Sequence, residues 1–185
     1  MVRIFVEGQD DENIIIKLLQ DLAKDKKIPK YQNFNSITIR MNNKSKLLNH
    51  QEEKYEKTRK QIENKKVKKV LFIFDCDFER DDNRCGGLEK SQQCFEELKS
   101  SLNWNIPVDT YIFDKNLDYF LLETINDNEC YSNFKDLTDC LGVEQLKPNK
   151  KPIANLYRDL YPKEPFDFYH PNFNELKEKL INLFE

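Results

Sequence analysis

A continuous apolar run, Val70–Phe74, ends abruptly at Asp75, with Asp77 two positions later. An uninterrupted apolar stretch of this length is typical of a strand buried on both faces of a parallel sheet. The N-terminal run Val2–Val6 is apolar apart from Arg3 and ends at Glu7. In open parallel sheets, ligands bind at the carboxyl ends of the strands. The two runs therefore predict an acidic site at one edge of such a sheet.

The alternation of strand and helix patterns predicts an α/β layered fold of the Rossmann type, with a mostly parallel central sheet flanked by helices. Strands are expected at Val2–Val6, Ser36–Met41, Val70–Phe74 and Val108–Phe113. Helices are expected after Gly8, across Lys44–Lys69, after Gly87 and over Leu117–Ile125. The helix after Gly87 is expected to bury Leu88, Cys94, Phe95, Leu98 and Leu102. Residues 1–128 would form this core, and residues 129–185 a helical C-terminal extension packed on it as one structural unit.

Composition excludes several classes of protein. The 185 residues include 30 Lys or Arg and 33 Asp or Glu, and the net charge of −3 excludes a basic coat over the whole surface. Only four glycines are present, too few for a Walker-type phosphate loop. No apolar run approaches the ~20 residues of a membrane helix, and no signal-peptide pattern opens the chain. We therefore expect a cytoplasmic protein with no membrane partner.

The cysteines do not form a recognisable pattern. Their number is five, no two have C-x-x-C spacing, and neither histidine lies near one of them. This pattern favours neither a zinc site nor a disulfide framework. Buried or idle thiols in a reducing compartment are the expectation.

Several carboxylates are expected to meet at the acidic edge. Asp75 and Asp77 lie two positions apart, so an extended chain would point both to the same side of the sheet. Clustered carboxylates repel one another unless a hard divalent cation neutralises them, and oxygen ligands suit Mg²⁺ or Mn²⁺ better than zinc. Simpler explanations stay open: a solvated loop for the two aspartates, a strand-end acid for Glu7, and a helix cap for Asp11.

Two motifs resemble those of the TOPRIM domain. The run from Val6 to Asp11 is similar to the first motif, in which an apolar strand leads into EGxxD and an apolar helix. Phe72–Asp77 is similar to the second motif, a strand that ends in DxD. The likeness is closer to small stand-alone bacterial TOPRIM proteins and to the TOPRIM part of OLD-family nucleases than to the large TOPRIM enzymes. It covers roughly the first two-thirds of the chain.

The resemblance implies a TOPRIM-like fold and Mg²⁺- or Mn²⁺-dependent phosphodiester chemistry on nucleic acid. It implies metal binding by Glu7, Asp11, Asp75 and Asp77, and general acid/base catalysis by Glu7. The supporting residues that it carries over are Asp118 and Glu123, from a segment that commonly reads G-x-LE but lacks the glycine here, and Lys150 and Lys151. Because the modules of topoisomerases and primases are missing, a small nuclease is the expected enzyme.

The segment Lys44–Lys69 is basic in a protein that is acidic overall. It has ten basic residues and four acidic ones, a net charge of +6. One interpretation is that it holds a phosphate backbone beside the acids, with Arg59, Lys60, Lys65 and Lys66 as nucleic-acid contacts. The favoured interpretation is a solvated helix with Lys–Glu pairs along its face.

Other functions remain open at this stage. The chain is either a nuclease or a non-catalytic TOPRIM-like module that binds a protein or nucleotide partner, since a fold does not imply an activity. A receiver-like phosphoacceptor would use Asp10 and Asp11 with Asp75 or Asp77, although Glu7 and Gly8 then separate the acidic pair from its strand. A sugar phosphatase would carry its DxD motif after the first strand.

Overall fold

A computed structural model of the chain describes residues 1–31, 33–77, 79, 82–124 and 168–185. The described chain forms two compact units, Met1–Asn116 with Glu175–Glu185, and Leu117–Asn174. The strands are β1 (Val2–Val6), β2 (Thr38–Arg40), β3 (Lys69–Asp75) and β4 (Val108–Phe113). The helices are α1 (Gln9–Lys24), α2 (Lys44–Leu47), α3 (Glu53–Glu63), α4 (Leu88–Leu102), α5 (Leu117–Glu123) and α6 (Asn174–Phe184).

Unit one is an α/β fold around a four-stranded sheet in which the described strands lie in the order β2-β1-β3-β4. Every pairing is parallel, and β1 pairs with β3 from Val2 opposite Lys69 to Val6 opposite Ile73. All five residues of β1 and the five central residues of β3 are buried. This burial explains the uninterrupted apolar runs, and it confirms the predicted α/β layered fold with a parallel sheet.

Aromatic side chains from the central strands form one side of the core. Phe5 and Phe72 stack with ring centroids 4.9 Å apart. Tyr55 from α3 lies 5.0 Å from Phe5, and Phe95 from α4 lies 5.4 Å from Phe72. Trp104 packs 6.4 Å from Phe72. The helices α3 and α4 are thus attached to the sheet through their aromatic residues, which gain pair geometry as well as buried area.

The prediction of one long helix over Lys44–Lys69 is wrong, because the structure breaks it into α2 and α3. Asn43 caps α2 by accepting a hydrogen bond from the Lys46 amide at 2.8 Å. Asn49 accepts from the Gln51 amide and closes the turn before α3. Asparagine side chains that bond nearby amides favour caps and turns over helix interior.

Two smaller expectations also need correction. The second strand is shorter than Ser36–Met41, because Phe34–Ser36 forms a 3₁₀ turn in which the Phe34 carbonyl accepts from the Ile37 amide. Leu88 is 52% exposed, because it is the first residue of α4 and the buried residues of this helix begin about one turn later, at Ser91. The other residues assigned to that face, from Cys94 to Leu102, are buried as predicted.

Unit two has a small aromatic cluster of its own. Phe173 meets Phe120 edge to face at 5.0 Å and Phe168 at 5.2 Å. The expected helix over Leu117–Ile125 is present as α5 up to Glu123, and Ile125 lies outside the described residues. Most of the predicted C-terminal extension, residues 129–167, also lies outside them. Within the described residues, no helix is long and apolar enough to cross a membrane.

The central aromatic packing yields a stability prediction. Phe72→Ala removes a fully buried ring that contacts Phe5, Phe95 and Trp104. We expect the free energy of unfolding to fall by about 3–5 kcal/mol in urea titrations. The matched control is Leu88→Ala on exposed α4 surface, which should change it by less than about 0.5 kcal/mol. Equal losses in the two variants would contradict this core.

Candidate functional site

The sheet has a topological switch point between β1 and β3. From β1 the chain passes to β2 on one side, then returns to β3 on the other side of β1. Crevices at the carboxyl ends of strands, at such reversals, are where open α/β sheets bind ligands. Glu7 follows β1 directly and Asp75 ends β3, so the sheet brings these two predicted site residues to the same edge.

Glu7 lies in a partly buried position among other acids. Its Oε2 accepts a hydrogen bond from the Asp75 backbone amide at 3.4 Å. Burial raises the pKa of Glu7 to about 7, and the negative charges of Asp11 and Asp77 add to the rise. The Asp75 hydrogen bond and the Lys44 ammonium oppose it more weakly. Near neutral pH, Glu7 can therefore both give up and take up a proton.

Asp11 caps the first helix, as the simpler sequence interpretation expected. It is buried in the first turn of α1, and its Oδ2 accepts from the Gly8 amide at 2.8 Å. A Cβ atom at position 8 would lie only 3.0 Å from this oxygen, so glycine permits the close approach. The cap places a second carboxylate beside Glu7, where its charge raises the Glu7 pKa.

Asp77 reaches the site by a different route from the one predicted. Its φ angle is +57°, a left-handed conformation, so the chain is not extended through it and the alternation argument fails. Its amide donates to the Lys115 carbonyl at 2.6 Å. The Gly87 amide, at a φ of +82°, donates to the carbonyls of Cys76 and Asp77. These bonds turn the chain at the end of β3 and hold Asp77 near Glu7.

Lys44 is the residue at this edge that the sequence patterns missed. It is buried, although the sequence predicted a solvated helix there. Its Nζ donates to the carbonyls of Cys76 at 2.7 Å and Cys85 at 2.8 Å. It also lies 3.4 Å from Asp77 Oδ2 and 3.8 Å from Asp82 Oδ2. The buried Lys44 ammonium thus lies beside both Asp77 and Asp82 and partly neutralises their negative charge.

A signal for Lys44 was present in the sequence. Asn43 is a good helix cap, and it follows β2 closely. A helix that begins there must start at the carboxyl edge of the parallel sheet, where Glu7 and Asp75 also lie. Its first residue, Lys44, is therefore directed toward the acids.

A disulfide joins Cys85 to Cys94 beside Lys44, contrary to the expectation of idle thiols. Cys85 precedes α4 and Cys94 lies within it, so the turn at Gly87 brings them together. Sequence spacing did not reveal this pair, because the two cysteines are nine positions apart and only the turn brings them close in space. Among the described residues, Cys76 is the free cysteine, and it is buried. Cys130 and Cys140 lie outside them.

The four basic residues predicted to contact nucleic acid lie away from the acids. Lys65 and Lys66 precede β3, and Lys68 bonds the carbonyl of Met1 at the amino end of β1. They lie at the opposite end of β3 from Asp75, about 20 Å along the strand. Arg59 and Lys60 belong to the same end, since Arg59 reaches the last carbonyl of α4 at Leu102. A basic surface beside the acids stays a prediction for this segment, in which Lys44 and Lys54 lie at the carboxyl edge, Lys54 through a bond to the Arg40 carbonyl at the end of β2.

The helix α3 itself matches the favoured, solvated interpretation. Lys57 pairs with Glu53 at 2.8 Å, and Arg59 pairs with Glu56 at 3.6 Å, one helical turn apart in each case. Such pairs contribute little stability, but they account for the mixed charges of an exposed helix.

Two of the remaining predicted site residues belong to unit two. Asp118 and Glu123 lie on α5 in unit two, and Glu123 is exposed. Lys150 and Lys151 lie outside the described residues.

The side chains at this edge have the chemistry that suits a hard cation. Glu7, Asp75 and Asp77 offer carboxylate oxygens, the ligands that Mg²⁺ and Mn²⁺ prefer. In the described part of the chain, however, no group of three His, Cys, Asp or Glu side chains is arranged to hold a metal ion. Mg²⁺ commonly takes one or two carboxylates and completes its shell with water and substrate phosphate.

No family model, curated protein or solved structure matches this chain.

Glu7 should make stability depend on pH. Its pKa is 4.5 in the unfolded reference and about 7 in the fold, so the folded state retains a proton that the unfolded state loses. Stability from this group is full below about pH 4.5 and is lost as pH rises through about 7. Relative to Glu7→Gln, the wild type should lose about 2 kcal/mol across that window, after allowance for partial exposure.

Urea titrations of both proteins at several pH values would measure this difference. Exposed Glu63→Gln is the control for the removal of one surface charge. A wild-type minus Glu7→Gln difference that stays constant with pH would show that Glu7 is not in the environment described.

Lys44 should contribute to stability despite its charge. Lys44→Met keeps much of the side-chain volume but removes the ammonium that bonds Cys76, Cys85 and Asp77. We expect a loss on the order of 2 kcal/mol, because hydrogen bonds from charged donors are stronger than neutral ones. Lys57→Met, on an exposed pair, should cost less than about 0.5 kcal/mol in the same denaturation experiment. Similar losses would argue against a buried Lys44.

Proposed function

We propose that this protein is a small metal-dependent nuclease that hydrolyses phosphodiester bonds at the edge formed by Glu7, Asp75 and Asp77. The observation that carries the proposal is the position of Glu7 at the carboxyl ends of β1 and β3, where the strand order reverses. Its Oε2 accepts from the Asp75 amide, and the charge of Asp77 raises its pKa. The choice of nucleic acid as substrate is supported by the likeness of the two motifs to TOPRIM. An oxygen-only donor set supports Mg²⁺ or Mn²⁺.

Each residue has a proposed task. Asp75 and Asp77 would hold the cation, which supplies charge neutralisation at the phosphoryl group when it is bound. Glu7 acts as the general acid/base, since the most effective groups have a pKa near the working pH. Asp11 fixes the start of α1 and keeps its charge beside Glu7. Lys44 holds the segment that carries Asp77.

The second candidate is a non-catalytic module that uses the same edge to bind a nucleotide or protein partner. A buried ammonium beside Asp77 supports it, because Lys44 already compensates part of the negative charge without a metal. The two candidates differ in whether bonds are cleaved, which makes them separable by one assay.

The nuclease proposal predicts cleavage that depends on both metal and Glu7. Purified protein with Mg²⁺ or Mn²⁺ should nick or degrade DNA or RNA, and Glu7→Gln should lower the rate by a factor on the order of 10² or more. The amide has nearly the same size, and its oxygen can still accept from the Asp75 amide. The measurement is cleavage of single- and double-stranded DNA and RNA with each metal.

Asp75→Asn combined with Asp77→Asn should abolish cleavage and the rise in melting temperature that Mn²⁺ produces in the wild type. Asp25→Asn, at the far end of α1, is the matched control. Cleavage that survives in Glu7→Gln would place the chemistry elsewhere. No cleavage of any substrate, together with an intact Mn²⁺ response, would favour the binding module.

A further inference from the structure

The Cys85–Cys94 disulfide forms part of the wall of an open cleft of about 680 Å³. Lys44 and Asp82 line the same cleft. Both cysteines are more than nine-tenths buried as residues, and both line the cleft. The disulfide is therefore neither enclosed in the core nor placed on an open surface.

The disulfide is directly connected to the acidic edge. The Cys85 carbonyl accepts from Lys44 Nζ at 2.8 Å and from Ser91 Oγ at 2.6 Å. The same Lys44 ammonium bonds the Cys76 carbonyl and lies 3.4 Å from Asp77. A displacement of Cys85 thus acts on Lys44, and through it on Asp77, over a path of two contacts.

We propose that Cys85 and Cys94 form a reversible thiol–disulfide exchange site, whose state sets how firmly Asp77 is held beside Glu7. The inference deepens the proposed function, because it adds control to the same carboxylates. Whether this edge acts as a nuclease or as a binding module, Asp77 would be held more firmly in the oxidised state than in the reduced one.

The exchange needs a thiol reductant, such as a dithiol protein of the thioredoxin type. A reductant thiolate attacks one sulfur, the Cys85–Cys94 bond breaks, and the released cysteine takes up a proton. The second reductant thiol then displaces the other cysteine from the mixed disulfide. Two electrons and two protons pass to the protein, and the reductant is oxidised to its own disulfide.

Reduction should loosen the segment without unfolding it. Asp82 Oδ1 accepts from the amides of Arg84 and Cys85, both at 3.0 Å, and these bonds do not depend on the disulfide. The bonds from Lys44 and Ser91 to the Cys85 carbonyl also remain available. They keep the two thiols near each other, so the disulfide can form again when an oxidant returns.

The test combines thiol counting with amide hydrogen exchange on the full chain. Dithiothreitol should reduce Cys85 and Cys94 in the folded protein, as alkylation and peptide mass would show. The Asp77 amide bonds the Lys115 carbonyl, and the Gly87 amide bonds the carbonyls of Cys76 and Asp77. Both amides should then exchange at least ten times faster, while amides of β1 and β3 keep their rates. Oxidised glutathione should restore the slow exchange.

Two variants assign the effect. Cys85→Ser with Cys94→Ser should show the fast exchange at all times and ignore reductant, while Cys130→Ser with Cys140→Ser should respond like the wild type. The proposal is overturned if the pair resists reduction until the protein unfolds, or if exchange at Asp77 and Gly87 is equal in both states. It is also overturned if the response disappears in the Cys130 and Cys140 variant.

Neither measurement depends on cleavage or metal. A protein that shows this exchange response but neither binds Mn²⁺ nor cleaves nucleic acid would support the redox site and overturn the proposed nuclease. A protein that cleaves equally well with and without reductant, with unchanged exchange rates, would do the reverse.

Discussion

The parallel pairing of β1 with β3 is the constraint on which the rest of the structure depends. Both strands are buried on both faces, and their stacked residues Phe5 and Phe72 form the centre of the aromatic core. Because the strands are parallel and adjacent, their carboxyl ends lie at the same edge of the sheet, and so do the residues that follow them. The acidic edge is thus a direct result of core packing. A mutation that weakened the pairing would disturb Glu7 without touching it.

An edge with this many acids needs positive charge, and the fold supplies it unevenly. The Lys44 ammonium lies beside Asp77 and Asp82, whereas its effect on Glu7 is the smallest of the influences that shift the Glu7 pKa. Burial and the neighbouring carboxylates dominate at Glu7. The Lys44 ammonium therefore compensates the charge of Asp77 and Asp82, whereas the pKa of Glu7 stays at about 7. When two carboxyl groups of one site lie in different environments, they can take different chemical roles.

Local patterns predicted what depends on local chemistry. The strands Val2–Val6 and Val108–Phe113 have the predicted bounds, and for Val2–Val6 burial on two faces gives the nearly continuous apolar signal. Lys44 was missed because its partners Cys76 and Cys85 lie 32 and 41 positions away, and no periodicity reports such contacts. The break between α2 and α3 was predictable, because Asn43 and Asn49 are turn-forming residues, but the charge pattern outweighed them.

The uneven compensation also separates the tasks within the proposed site. A carboxylate that holds Mg²⁺ is ionised throughout and cannot shuttle a proton at the same time. Asp77 is already paired with the Lys44 ammonium, and Glu7, with a pKa of about 7, is suited to proton transfer. A divalent ion bound by the aspartates would lower the Glu7 pKa through its charge. Glu7 would then favour the ionised form, ready to accept a proton, when the metal is present. The same electrostatics that destabilise the free protein at neutral pH would prepare the base for the bound state.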